Sequence, residues 1–225
     1  EIFQNTATAA ELKAKKVEGI ILSGGPSSVY EDKAPTVDKA IFSLGIPVLG
    51  LCYGHQLIAH VLGGKVVQSS REYGKEIFTP TAKSKLLQSL GKKEQVWMSH
   101  GDSVVTLPQG FIVAGKTQGC KIAAYANDAR RIYGLQFHPE VQHTVHGMKI
   151  LENFLNICGC RRNYTIIGLD KKIIAEIKAK VGNGAVVMGV SGGVDSLVAS
   201  ALIRTATPNI HCVFVDHGII RKGEA

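Results

Sequence analysis

Short apolar runs that end at glycine, each leading into residues with helical spacing, recur along this chain and leave few folds open to it. A buried strand, a sharp turn and a helix form the repeating unit of α/β proteins built on a largely parallel sheet. Residues 19–22 run into Ser23-Gly24-Gly25-Pro26, and residues 46–51 run into Cys52-Tyr53-Gly54-His55. Residues 56–62 then carry apolar side chains at helical spacing until Gly63-Gly64 stops them. A more β-like stretch follows, with strands expected over 65–68, 76–79, 95–98, 111–116, 122–125 and 131–137, and a helix over 84–90. A helix over 148–157 closes this part.

Residues 158–165, CGCRRNYT, are polar and glycine-containing and mark a domain junction. Beyond it the pattern starts again: an amphipathic helix over 169–181, a buried strand over 184–190, a helix over 194–205 and a buried strand over 210–215. The expected organisation is one α/β domain over 1–157, a linker over 158–165 and the beginning of a second α/β domain over 166–225. The second part has about 60 residues, close to the lower limit for an independent core. It is expected to be cut off at Ala225.

With 225 residues and 45% hydrophobic content the chain is globular in composition, which excludes a disordered segment or a bare peptide module. No apolar run approaches the eighteen residues of a membrane span, and the opening EIFQNTATAAELKAKK has no apolar signal core. A cytoplasmic protein without a membrane partner is expected. Of the five cysteines only Cys158 and Cys160 lie close together, and they lack a second pair at zinc-ligand spacing, so reduced thiols are expected. The net charge of +8 is scattered, with no arginine-rich stripe and interleaved aromatics. It steers anionic small molecules and points to no dedicated nucleic-acid partner.

Cys52 sits in Gly50-Leu51-Cys52-Tyr53-Gly54, the G-x-C-x-G form of a nucleophile elbow. A thiol at a helix N-terminus has its thiolate favoured by free backbone N–H groups, and the Tyr53 N–H points where an oxyanion develops. His138, in Phe137-His138-Pro139-Glu140, is suited to take the thiol proton and to return one to a leaving amine, with Glu140 orienting the ring. A Gly25 N–H is the candidate second oxyanion donor. His55 and His60 lie on the helix after Cys52, and His143 and His146 show no clear cysteine or carboxylate partner in the sequence.

With SGGP at 23–26, GLCYGHQ at 50–56, REYG at 71–74, SHGD at 99–102 and GLQFHPEV at 134–141, the chain resembles the class I glutamine amidotransferases. The resemblance implies a three-layer α/β domain with a mostly parallel central sheet. It implies Cys52 as nucleophile, His138 as base, Glu140 as orienting carboxylate, and Gly25 and Tyr53 as oxyanion-hole amides. It further implies that Gln56, Tyr73, His100, Gly101 and Asp102 hold the amino acid end of glutamine or shape the rim. The family's first strand and helix are expected upstream of Glu1.

Ser191-Gly192-Gly193-Val194-Asp195-Ser196 follows an expected buried strand and opens a helix. Its amides and hydroxyls suit an anion, whereas Asp195 suits Mg²⁺ or the orientation of the loop. It lacks the lysine of a Walker A loop and the spacing of a dinucleotide fingerprint. SGGVDS resembles the pyrophosphate loop of the ATP pyrophosphatases, whose fold is adenine-nucleotide α-hydrolase-like. CVFVDHG at 212–218 resembles that family's second nucleotide-contacting segment, with Val215 near adenine.

A class I glutaminase joined to this loop on one chain resembles enzymes that aminate XMP after its adenylation by ATP, and DHGIIRKGE at 216–224 supports that match. Tyr164 stands where such proteins commonly have tryptophan. The resemblance implies glutamine, ATP with Mg²⁺ and XMP as substrates, no tightly bound organic cofactor, and a homodimer for the full-length protein. A glutaminase subunit or regulatory fragment without complete synthetase activity is the alternative.

Overall fold

The computed structural model describes residues 1–161, 163 and 165–216, with Ser70 described by its backbone alone. It divides into two units, Glu1–Cys160 and Arg161–Ala225. The expectations resting on Tyr164 and on residues 217–225 lie outside the described residues.

In the first unit, α1 (Ala9–Ala14) starts where Thr8 accepts the Glu11 amide with its hydroxyl. It leads to β1 (Ile20–Leu22), and a short 3-10 turn of helix (Lys39–Ser43) precedes β2 (Val48–Leu51). After α2 (Tyr53–Val61) come β3 (Lys65–Pro80), β4 (Glu94–Thr106), β5 (Ile112–Lys116), β6 (Ala124–Asn127), β7 (Ile132–Leu135) and α3 (Gly147–Cys158). The strands form one sheet in the order β1-β2-β7-β6-β5-β3-β4.

The central strands are buried on both faces. Val48 and Ile132 pack toward the cluster holding Leu12 of α1 and Leu57 and Ile58 of α2. Leu49, Tyr133 and Leu135 pack toward Phe78, Phe137 and, from α3, Ile150 and Phe154. Continuous apolar runs are what such a sandwiched strand requires. The three-layer expectation therefore holds.

The expected mostly parallel sheet is corrected. Only β1-β2 and β2-β7 are parallel, while β3-β4, β3-β5, β5-β6 and β6-β7 are antiparallel. The connections explain the difference: β5, β6 and β7 follow one another with no helix between, and such connections reverse the chain. The expected strands 65–68 and 76–79 are parts of one long β3. An irregularity between Gln68 and Glu72 breaks the two-residue alternation that would have joined them.

The helix expected over 84–90 is also corrected to a run of turns. Ser84 and Leu87 carbonyls accept from residues three further on, Ser89 has φ +69°, and the Asn153 side-chain amide takes the Leu86 and Gln88 carbonyls.

The second unit contains α4 (Leu169–Val181), β8 (Val186–Val190), α5 (Val194–Ala206) and β9 (Ile210–Phe214), with β8 and β9 parallel. Its strands were expected to be buried. Instead burial alternates along β8, with Val187 73% exposed, and most of β9 is exposed, because the two strands have no further sheet neighbour among the described residues. Among the described residues no helix is long and apolar enough to cross a membrane.

Candidate active site

Parallel pairing of β1, β2 and β7 opens their carboxyl ends on one edge of the sheet, where open α/β sheets hold their ligands. Leu51 of β2 lies in register with Leu135 of β7. Cys52 follows the first and His138 comes soon after the second, so neighbouring strands deliver both groups to one place. The Cys52 amide donates to the Leu135 carbonyl at 2.8 Å, and the His138 amide donates to the Trp97 carbonyl at 3.0 Å.

Cys52 is the residue before α2 and has φ 52° and ψ −103°. Such a conformation costs a residue with a Cβ on the order of 1–3 kcal/mol and persists only where its surroundings enforce it. Here the enforcement comes from close backbone contact on both sides. A Cβ on Gly50 would stand 2.4 Å from the Gly54 carbonyl oxygen, and one on Gly54 would stand 2.2 Å from the Leu22 carbonyl oxygen. The turn presses α2 onto β1 and β2 and presents the sulfur at the start of a helix whose first amides have no partner within it.

His138 feels the Cys52 sulfur on one side, and its Nδ1 lies 2.7 Å from Glu140 Oε1 on the other. These two contacts, the sulfur first and the carboxylate second, outweigh burial and hold the ring protonated up to about 10. Burial pushes the Glu140 carboxyl up, but the His138 hydrogen bond and charge prevail and hold it below its ordinary value. Thr144 clamps the turn: its hydroxyl donates to the His138 carbonyl at 2.6 Å and accepts the Trp97 amide at 3.0 Å.

The 23–26 loop closes over these groups. A Cβ on Gly24 would meet His138 Cε1 at 3.3 Å and Cys52 Cβ at 3.5 Å, and Gly25 packs on the Tyr53 ring. Gly24 is thus nearest Cys52 and His138, and residue-type reasoning had singled out only its neighbour Gly25. A cavity of about 820 Å³ beside β1 is lined by the same loop and by Tyr53 and Leu57, but neither Cys52 nor His138 lines it.

The remaining expected residues fall into two groups. Tyr73 is 67% exposed and pairs across the ribbon with Ser99, whose carbonyl accepts the Cys52 thiol at 3.5 Å. Gln56, His100 and Asp102 are buried and already engaged with protein groups. Gln56 Nε2 donates to the Asp102 carbonyl at 2.9 Å and to Gln136 Oε1 at 3.1 Å. The Asp102 carboxylate accepts from the hydroxyls of Ser28 and Tyr30, at 2.5 and 2.9 Å, tying down the loop that continues from Pro26.

His100 has Nδ1 2.9 Å from the Asp102 carbonyl and Nε2 2.9 Å from Glu72 Oε2, which also accepts from Thr117. With Cys120, whose thiol is pushed up to about 11 by burial and by Glu72, these residues bring ligand-type atoms within 4.8 Å of one another. Both ring nitrogens of His100 are spent on protein partners, so the trio reads as a support under the ribbon. Gly101 packs beside Arg71.

Ser99 and Gln136, quoted only inside longer motifs, and Thr144 received no role from the sequence, because their contacts to Cys52, Trp97 and the His138 carbonyl are not written in local residue spacing. His146, which showed no partner in the sequence, has its Nδ1 2.5 Å from the Glu94 carboxylate, contributed from 52 positions away.

In the second unit, residues 191–193 join β8 to α5, and Val194, Asp195 and Ser196 open the helix. Gly192 has φ +79°, and the Ser196 hydroxyl accepts the Ser191 amide and hydroxyl, each at 3.3 Å, closing the loop on itself. Asp195 lies in the first turn of α5, and Val215 is 68% exposed.

A family model described as glutamine amidotransferase class-I matches residues 1–158. A protein of Caldicellulosiruptor saccharolyticus described as GMP synthase (glutamine-hydrolyzing) is 49% identical over all of this chain and 45% of its own length. One of Syntrophomonas wolfei with the same description is 50% identical, again over 100% and 45%. The chain thus spans less than half the length of these curated relatives. Among solved structures, a Thermoplasma acidophilum protein, provisionally described as one component of a GMP synthase, superposes with TM-score 0.61 at 32% identity over 71% of this chain and 80% of that one.

Proposed function

This chain belongs to the class I glutamine amidotransferase family, and we propose from that premise that Cys52, His138 and Glu140 hydrolyse glutamine to glutamate and ammonia. The observation that carries the proposal is that Cys52 and His138 meet beside Gly24 at the ends of two adjacent strands, with the Glu140 carboxylate 2.7 Å behind the ring. The Cys52 thiolate adds to the carboxamide carbon, forming an S–C bond and moving the carbonyl electrons onto oxygen. The amides of Gly25 and Tyr53 donate to that oxygen. His138, protonated at neutral pH, gives its proton to the amide nitrogen; the C–N bond breaks and ammonia leaves. Water then loses a proton to His138 and adds to the thioester carbon. The S–C bond breaks, glutamate leaves and the thiolate returns. Glu140 stabilises the charged ring throughout, and Gln56, Tyr73, His100, Gly101 and Asp102 build the wall and rim on the amino acid side of the substrate.

For the whole protein the reading is GMP synthesis. ATP adenylates the C2 oxygen of XMP, ammonia displaces AMP, and pyrophosphate is released. Whole-chain similarity to GMP synthases supports this, as does a loop of small residues and hydroxyls before α5. Ser191, Gly192, Gly193, Val194 and Ser196 are the residues that would hold pyrophosphate, and Val215 lies toward adenine. Asp195 supplies a carboxylate of the hard-oxygen type that Mg²⁺ takes, and the ion when bound offsets phosphate charge. The full-length protein works as a homodimer in this reading, in the cytoplasm.

Cys52→Ala tests the first half: glutamine-dependent ammonia release is lost, while the full-length protein still makes GMP from added ammonia. Intact glutamine-dependent synthesis in that variant would sink the assignment. Asp195→Ala tests the second half, sparing glutamine hydrolysis and depressing pyrophosphate release; equal loss of both in a folded protein counts against a division between two sites.

A further inference from the structure

Gln136 is fully buried, one residue past β7, and its side chain takes no part in the chemistry described above. Its Nε2 lies 3.8 Å from Cys52 Sγ, within reach of a hydrogen bond to sulfur. Which end of the amide faces the sulfur follows from the chain of contacts behind it. The Asp102 backbone carbonyl can only accept, so the Gln56 atom 2.9 Å away must be its NH₂ group. That group reaches Gln136 at 3.1 Å, so the Gln136 atom there must be the carbonyl oxygen. The NH₂ group of Gln136 is thereby turned toward Cys52.

The sulfur accordingly has two fixed backbone-supported neighbours of opposite preference. The Ser99 carbonyl at 3.5 Å accepts a proton from the thiol and disfavours a negative sulfur. A buried N–H directed at the same atom favours the negative sulfur, and hydrogen bonds to charged groups are the stronger class.

We propose that Gln136 is a further catalytic residue, an N–H donor to the Cys52 sulfur, locked in orientation by Gln56 and the Asp102 carbonyl. It rests on the reading of Cys52 as nucleophile and adds to it. Gln136 transfers no proton. Its N–H stays in place while the S–C bond forms and the C–N bond breaks, and it receives the sulfur again as a thiolate when water cleaves the thioester. Gln56, with both Nε2 hydrogens spent on protein oxygens, is the positioning residue of this relay.

The test uses the chain as it stands, with Gln136→Met removing the donor at similar volume and Gln56→Met removing the lock. Iodoacetamide alkylation of Cys52 is followed against pH, with Cys52→Ala as the blank for the other thiols. His138 and Glu140, the charged groups on the sulfur's other side, are retained in both variants, so their contribution is common. Loss of a hydrogen bond to a charged sulfur is expected to move the midpoint of the Gln136→Met profile up by about one pH unit, a tenfold change in thiolate fraction. It should lower kcat for glutamine hydrolysis about tenfold while leaving KM near its original value.

Gln56→Met should move both in the same direction by less, because the donor remains but is free to turn. A folded Gln136→Met protein with the original alkylation profile overturns the proposal, even if glutamine hydrolysis falls. If Gln136→Met does not fold, an unshifted profile in Gln56→Met overturns it. Should Cys52 prove not to be the nucleophile, hydrolysis would be indifferent to its loss, while the alkylation profile would still report the N–H contact.

Discussion

Gly54→Ala is the most direct probe of how the elbow holds Cys52. The added methyl group would stand 2.2 Å from the Leu22 carbonyl oxygen and 2.8 Å from both the carbonyl carbon and Cβ of the same residue. Ordinary non-bonded contacts lie near about 3.5 Å, so relief requires movement on the order of 1 Å. The obstacle is β1 backbone held in the sheet by β2, and therefore α2 must do most of the moving. Overpacking of this kind costs about 1–3 kcal/mol.

Because Cys52 is the residue on which α2 begins, the sulfur moves with the helix and loses its alignment with His138. A displacement of about 1 Å at a reacting group lowers rate on the order of 10²-fold. The expected outcome is a stability in urea unfolding lowered by about 1–3 kcal/mol, with a far larger fall in glutaminase kcat/KM. Unchanged kinetics in Gly54→Ala would refute the idea that close backbone contact at the helix start sets the position of the nucleophile.

Two further outcomes follow from the turn that carries His138. Thr144→Val removes the hydroxyl that bridges the Trp97 amide and the His138 carbonyl; about 1–3 kcal/mol of stability should be lost in urea unfolding, with a fall in kcat, and an unaffected protein would show the bridge to be incidental. His138 binds its proton more tightly folded, with its value up to about 10, than as an ordinary imidazole near 6.5. The stability this confers is complete below pH about 6.5 and is lost as pH rises through about 10. The urea-midpoint difference between the parent protein and His138→Gln should therefore shrink across that window, and a constant difference would contradict the raised value.

The elbow was legible because its constraint is local: glycines two positions either side of a cysteine, after a buried strand, mark a backbone that admits no side chains there. The Phe137-His138-Pro139-Glu140 turn was legible for a similar reason, since His138 and Glu140 are near neighbours and need no distant partner to meet. What escaped is non-local. The ribbon formed by β3 and β4 is long, but its alternation breaks between Gln68 and Glu72, so its halves read as separate strands. The spacing over 84–90 fits a helix in isolation, yet Asn153, far along the chain, takes carbonyls there for itself. Residue patterns record the face that a segment buries, and they do not record which distant group will claim its hydrogen bonds.

The split character of the sheet separates the positions that hold the sulfur from positions open to engineering. In the proposed chemistry the reacting side chains follow the parallel strands β2 and β7, where the backbone leaves no room for a Cβ at Gly50 or Gly54. The antiparallel β3–β4 ribbon brings the Ser99 carbonyl to the sulfur, and in it Tyr73 is solvent-facing and pairs with Ser99. Mutational exploration at such exposed ribbon positions can retune which amide is admitted while the acyl-transfer apparatus stays in register.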